Sequence, residues 1–188
     1  MSDYELSKDN VVEFIGDIFL RRGAESYIGE AVTMSEHMLQ SAKLAEDEGA
    51  DSELIAAALL HDIGHYTSEF GADAHEDGID NHHEAAGAAI LARFFPQVIV
   101  DCVRYHVAAK RYLCAVEPDY FDALSDASVL SLQLQGGPMS DDEVAEFESY
   151  TNLDAIIRVR RWDEQAKVPG LVTPDFESYK PILESSLR

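Results

Sequence analysis

The chain has 188 residues, 46% of them apolar and 27% charged, the balance of an ordinary soluble globular protein with enough length to bury a core. Asp and Glu number 36 against 14 Lys and Arg, which gives a net charge of −22 at pH 7. A surface that acidic repels phosphate backbones and anionic lipid, so neither nucleic acid nor a membrane is expected as a partner. An anionic small substrate would need a local positive site, supplied by a metal or by a few inward Lys and Arg.

Cys102 and Cys114 have no CxxC spacing and are expected as free thiols of a reducing compartment. The opening Met-Ser-Asp-Tyr-Glu shows no basic-then-apolar signal, and the longest apolar run, Ala85 to Ala92, is too short to span a bilayer. The expectation is one all-α domain over 1–188, cytoplasmic, without repeats or low-complexity segments.

Helical period dominates from the start. Asp9 to Arg21 places Val12, Ile15, Phe19 and Leu20 on one face, with Gly23 as a stop. Tyr27-Ile28-Gly29-Glu30 reads as a loop. Thr33 to Glu36 is a capping box, and the helix it opens carries His37 and ends at Gly49. A further helix starts near Asp51-Ser52 and runs through an apolar stretch into Leu59-Leu60-His61-Asp62-Ile63-Gly64-His65. The polar segment Thr67 to Asn81, with Asp73, Glu76, Asp77 and Asp80, is the longest stretch without period and is expected to be functional or a lid.

His82-His83-Glu84 opens another helix that runs to Phe95 and stops at Pro96. Gln97 to Tyr112 follows, with Arg104, His106, Lys110 and Arg111. Pro118 is expected at N1 of one helix continuing through Ser128 to Leu134, ended by Gln135-Gly136-Gly137-Pro138. Ser140 to Glu143 is a second capping box. The last long helix, Leu153 to Lys167, includes Arg160, Trp162 and Asp163, and the tail from Pro174 is expected to dock as a short helix.

Burying an Asp beside a His costs several kcal/mol, roughly, unless a partner neutralises it, and a cation satisfies both groups together. Candidate ligands are His37, His61, Asp62, His83, His106 and Asp163, each at or near a helix. Four His and two Asp suffice for two cations, with Asp62 between them. Nitrogen and oxygen donors without thiolate suit iron, manganese or cobalt, and in part zinc or magnesium. His75 and His82 are read as ordinary polar histidines.

The ordered pattern His37, His61-Asp62, Asp163 resembles the signature of the HD-domain superfamily, an all-α helical bundle that binds metal. His83 and His106 resemble the two extra histidines of its dinuclear members. Tyr27 to Glu30, His106 to Leu113, Gln135-Gly136-Gly137 and Arg160 to Lys167 are similar to its mixed-valence di-iron oxygenase branch, represented by PhnZ and TmpB. Enzymes of that branch cleave carbon–phosphorus bonds with dioxygen.

The resemblance implies two iron ions, Fe2+ and Fe3+. One would be held by His37, His61, Asp62 and Asp163, the other by Asp62, His83 and His106. It also implies that Lys110 and Arg160 hold a phosphonate with Ser128 and Gln135 as polar partners, and that His65 hydrogen-bonds in the substrate pocket. Tyr27 would cap the second iron until substrate arrives, and Glu30 would move with it to read the amine end. The substrate would be a 1-hydroxy-2-(trimethylammonio or amino)ethylphosphonate, giving glycine betaine or glycine plus phosphate, with a lean to the trimethylammonio compound on overall similarity.

Spacing supports part of this independently. His106 and Lys110 are i,i+4, and Arg160 and Asp163 are i,i+3, so each helix offers a candidate ligand and a cation on one face. Two cations beside a metal pair suit a dianion. An HD phosphohydrolase would use the same ligands to activate water, without a redox metal, Tyr27 or dioxygen. An inositol-oxygenase-like ring cleavage and a non-catalytic metal sensor are the remaining readings.

Overall fold

The computed structural model describes residues 5–27, 29–66 and 82–188. The expectations for Thr67–Asn81 and for Ile28 lie outside them. Among the described residues there are ten α-helices, one 3-10 turn, and a single isolated bridge between Ser26 and Thr33. No described helix is long and apolar enough to cross a membrane.

Helix α1 (Val11–Arg22) buries Val11, Val12, Ile15 and Phe19, while Leu20 is 85% exposed. Leu20 was expected on the buried face. Each residue turns the helix by about 100°, which carries Leu20 off the stripe that Ile15 and Phe19 form at i,i+4.

Helix α2 (Met34–Asp47) is opened by the expected capping box. Thr33 Oγ1 accepts from the Glu36 amide at 3.3 Å, and the Glu36 carboxylate accepts from the Thr33 amide at 2.7 Å. Helix α3 (Ser52–Leu60) is capped by Asp51 and buries every residue from Leu54 to Leu60. It is hydrophobic on all sides, as a helix surrounded by others must be.

His61 and Asp62 were expected within that helix. They follow its end instead, on a tight turn leading to the 3-10 turn Ile63–Tyr66. The turn is set by close packing: a Cβ on Gly64 would lie 1.7 Å from the His83 carbonyl oxygen, so only glycine lets the next helix approach.

That next helix, α4 (His83–Leu91), stops short of Phe95, and α5 (Gln97–Val116) continues past Tyr112. At 20 residues α5 is about 30 Å long. It packs on α3, α4 and the later helix α9 (Leu153–Gln165), and its buried Ile99, Val103, His106, Lys110 and Leu113 repeat at alternating four and three.

The single helix expected from Pro118 to Leu134 is two, α6 (Pro118–Asp122) and α7 (Asp126–Leu134). Ser125 breaks it by capping α7, its hydroxyl accepting from the Ser128 amide at 3.1 Å. Helix α8 (Asp141–Phe147) begins at the second capping box, with Ser140 and Glu143 bonded reciprocally. Helix α9 (Leu153–Gln165) buries Ile156, Val159, Arg160 and Asp163 along one face toward α2, α3 and α5. Helix α10 (Phe176–Ser185) docks the tail on α1 and α3 through Phe176, Tyr179 and Leu183. Cys102 is buried, Cys114 is half-buried, and both are free thiols as expected.

Candidate metal centre

Four elements deliver the histidines to one buried point: α2 brings His37, the α3 turn His61 and Asp62, the start of α4 His83, and α5 His106. Asp163 reaches it from α9. All six are at most 4% exposed.

They sort into two groups. The Nε2 atoms of His37 and His61 face each other at 3.0 Å, and those of His83 and His106 do the same at 3.0 Å. Asp62 lies between the pairs. Its Oδ2 is 3.4 Å from both His37 and His61, and its Oδ1 is 3.3 Å from both His83 and His106. Asp163 Oδ1 joins the first group, 3.3 Å from His37 Nε2.

The chemistry of this donor set fits cations. His37 Nδ1 donates to the Ala166 carbonyl at 2.9 Å, His61 Nδ1 to Ala58 at 2.8 Å, and His106 Nδ1 to Val103 at 2.8 Å. A carbonyl only accepts, so each Nδ1 carries the hydrogen and a neutral ring turns a bare Nε2 lone pair inward. Asp62 Oδ2 and Asp163 Oδ1 are buried without a hydrogen-bond partner. Facing lone pairs beside orphaned carboxylate oxygens call for positive charge.

The acid–base balance agrees. Burial opposes ionisation of Asp62 and of Asp163, yet His61 pulls the first carboxyl, and Arg160 with His61 the second, well below the usual carboxylate range. Burial likewise opposes a charge on His61, but Asp62 and Asp163 outweigh it and raise the imidazole to about 10, so the carboxylates draw positive charge to its Nε2, as a proton or as a metal ion in the proton's place. Two groups could each hold a metal ion, His37, His61, Asp62 and Asp62, His83, His106, the ligand atoms of each lying within 4.8 Å of one another.

A cavity of about 320 Å³ opens onto Asp62, His83, His106 and Asp163. Tyr27, Glu30, His65, Lys110, Ser128, Gln135 and Arg160 all reach the same cavity. Lys110 Nζ donates to Ser131 Oγ at 2.7 Å, and burial with the nearby Arg160 lowers its ammonium to about 7. Arg160 is held on three sides: Nε donates to Tyr120 Oη at 2.8 Å, Nη1 to Asp163 Oδ2 at 2.5 Å, and Nη2 to Glu164. Gln135 Oε1 is buried without a partner.

Tyr27 stacks on the His37 ring, centroids 4.0 Å apart and planes 13° apart, so it stands over the first histidine pair rather than the second. Burial, then Asp62, raises its hydroxyl well above the usual phenol range and keeps it neutral. His65 stacks on His83 at 3.9 Å, with its Nε2 3.8 Å from Asp62 Oδ1.

Sequence reasoning assigned no role to Gly64, Tyr120, Ser131, Glu164 or Lys167. Glu164 and Lys167 carried a signal, since with Arg160 they form an i, i+4, i+7 stripe of alternating charge.

The chain matches the HD domain over residues 34–136. A [1-hydroxy-2-(trimethylamino)ethyl]phosphonate dioxygenase (glycine-betaine-forming) of Leisingera caerulea is 58% identical over 180 residues, covering 96% of this chain and 92% of that protein. A hydroxymethylphosphonate dioxygenase of Gimesia maris is 47% identical over 165 residues, covering 87% of this chain and 82% of that protein.

Proposed function

The chain belongs to the HD-domain family, and from that premise we infer that it is a dioxygen-dependent oxygenase that cleaves the carbon–phosphorus bond of a 1-hydroxyalkylphosphonate. The observation that carries the reading is one cavity lined both by Asp62, His83, His106 and Asp163 of the candidate metal centre and by two buried basic side chains, Lys110 and Arg160. Both relatives are named phosphonate dioxygenases, which speaks against the hydrolytic and sensor readings.

Overall, the reaction consumes one dioxygen, oxidises C1 to a carboxylate and releases phosphate. The substrate is the trimethylammonio compound, on the similarity to the glycine-betaine-forming relative, and the second product is then glycine betaine. Two iron ions fit the donor set: His37, His61, Asp62 and Asp163 would hold one, and Asp62, His83 and His106 the other. When bound, such a pair supplies Lewis acidity and exchange of electrons with dioxygen.

The chain's own groups do the rest. Lys110 and Arg160 hold the phosphonate oxygens and stabilise the charge that grows on phosphorus as the bond breaks. Arg160 has five N–H donors, of which three are tied to Tyr120, Asp163 and Glu164, so the fork is preorganised with two left for an anion. Ser128 and Gln135 complete the anion site from α7 and the turn after it. His65, stacked on His83, hydrogen-bonds substrate from the side of the second group. Tyr27 moves off the first group as substrate enters, and Glu30 faces the cationic end.

The test incubates iron-loaded protein with the amino and trimethylammonio hydroxyphosphonates, with and without dioxygen. Phosphate should appear with glycine betaine, in air only. Equal phosphate release under argon would point to hydrolysis instead.

A further inference from the structure

Five charged side chains form an unbroken alternating row along the cavity wall, from Glu30 on the loop to Asp163 at the candidate metal centre, with Glu30, Arg160 and Asp163 lining the cavity. Glu30 Oε1 is 3.3 Å from Lys167 Nζ, and Lys167 Nζ is 2.8 Å from Glu164 Oε1. Glu164 Oε2 takes Arg160 Nη2, and Arg160 Nη1 donates to Asp163 Oδ2 at 2.5 Å. Lys167 also donates to Ser128 Oγ at 2.8 Å, while Ser128 Oγ donates to Glu164 Oε2 at 3.1 Å. The Lys167 side chain is only 10% exposed, and Ser125 Oγ locks Glu30 in place with a 2.5 Å hydrogen bond.

Lys167 therefore touches both ends of the site. We propose that Lys167 is a positioning residue that masks Glu30 until an anion engages Arg160 and Ser128, so that a cationic group is admitted only together with a phosphonate. The proposal rests on the reading that Arg160 and Ser128 take the phosphonate and Glu30 the cationic end.

The chemistry is one of shared partners. Without an anion in the cavity, the Lys167 ammonium cancels the field of Glu30, and a lone cation finds little net attraction. A phosphonate on the two remaining Arg160 N–H groups draws the Ser128 hydroxyl away from Glu164, and its charge offsets part of the pull of the Arg160 fork on that carboxylate. Glu164, deprived of that donor and of part of that pull, holds Lys167 more tightly. Glu30 is then left uncovered at the cavity edge. The benefit is discrimination against free quaternary ammonium compounds, which share one end of the substrate and lack the other.

Iron-loaded protein under argon, where no turnover occurs, isolates binding. Calorimetry measures tetramethylammonium affinity with and without saturating inorganic phosphate. Phosphate should tighten tetramethylammonium binding at least about fivefold in the native chain, a modest allosteric coupling. In Lys167→Met the cation should bind well without phosphate, and the phosphate effect should fall to about onefold. Lys167→Arg should retain the effect, and Glu30→Gln should abolish cation binding in both conditions. Absence of a phosphate effect in the native chain, or the same effect in Lys167→Met, overturns the proposal. Turnover of the trimethylammonio substrate in air separates the two levels. If turnover is present and the phosphate effect absent, only the role of Lys167 fails; if turnover is absent, the reading of the site itself fails.

Discussion

Gly64 and His83 are in backbone contact across the centre: a Cβ on Gly64 would lie 1.7 Å from the His83 carbonyl carbon's oxygen and 2.8 Å from the Gly87 amide nitrogen. Neither neighbour is a side chain that can swing aside. Gly64→Ala must therefore push the start of α4 away from Asp62, and His83 with it. The expected result is a loss of about 1–3 kcal/mol in stability from overpacking. Metal analysis should also show binding weakened at the group of Asp62, His83 and His106, and a variant with native metal content would contradict the packing argument.

The division of Asp62 between two histidine pairs makes the groups separable. His106→Ala removes one imidazole from the Asp62 Oδ1 side and leaves His37, His61, Asp62 Oδ2 and Asp163 in place. Metal content should fall by about half, with turnover abolished. Full activity on one metal would remove the dinuclear reading.

Lys110 gives the site a pH dependence. Burial and Arg160 lower its ammonium to about 7 in the ligand-free cavity, so above that pH the group is increasingly neutral. A bound dianion favours the charged form, so binding takes up a proton above pH 7 and is opposed as pH rises. The apparent KM for phosphonate should climb above about pH 7, approaching tenfold per pH unit. Lys110→Arg, charged at every pH tested, should flatten the climb. An unchanged slope in that variant would assign the pH effect to another group.

Tyr120 braces Arg160. Its hydroxyl accepts from Arg160 Nε at 2.8 Å, and Tyr120→Phe removes that bond while keeping the ring. Loss of one hydrogen bond to a charged group is worth about 1.5–3 kcal/mol, so KM for the phosphonate should rise roughly tenfold or more with metal content unchanged. A fall in metal content would show that Tyr120 supports the fold rather than the anion site.

Much of the fold and the centre was legible in the sequence because it rests on local rules. Thr33 with Glu36 and Ser140 with Glu143 satisfy helix ends within four residues, so they read directly. The candidate ligands were visible as an ordered set of residue types. The break at Ser125 was less visible, since the Pro118 start signal is stronger than one serine followed by Asp126. The end of α3 before His61 depends on contact between Gly64 and His83, which is tertiary. Placement of Tyr27 over His37 is also tertiary, because nothing local tells a loop aromatic which histidine it will cover. The alternating charges of Arg160, Glu164 and Lys167 do not by themselves tell a solvated helix face from a buried one, and only the approach of Glu30, Ser125 and Ser128 turns that face inward.

Labelled dioxygen offers the most direct measurement of the central claim. Iron-loaded protein, the trimethylammonio hydroxyphosphonate and isotopically labelled dioxygen should yield glycine betaine with label in its carboxylate, and no phosphate under argon. Unlabelled products, with phosphate released equally well without dioxygen, would contradict oxidative cleavage at the centre around Asp62.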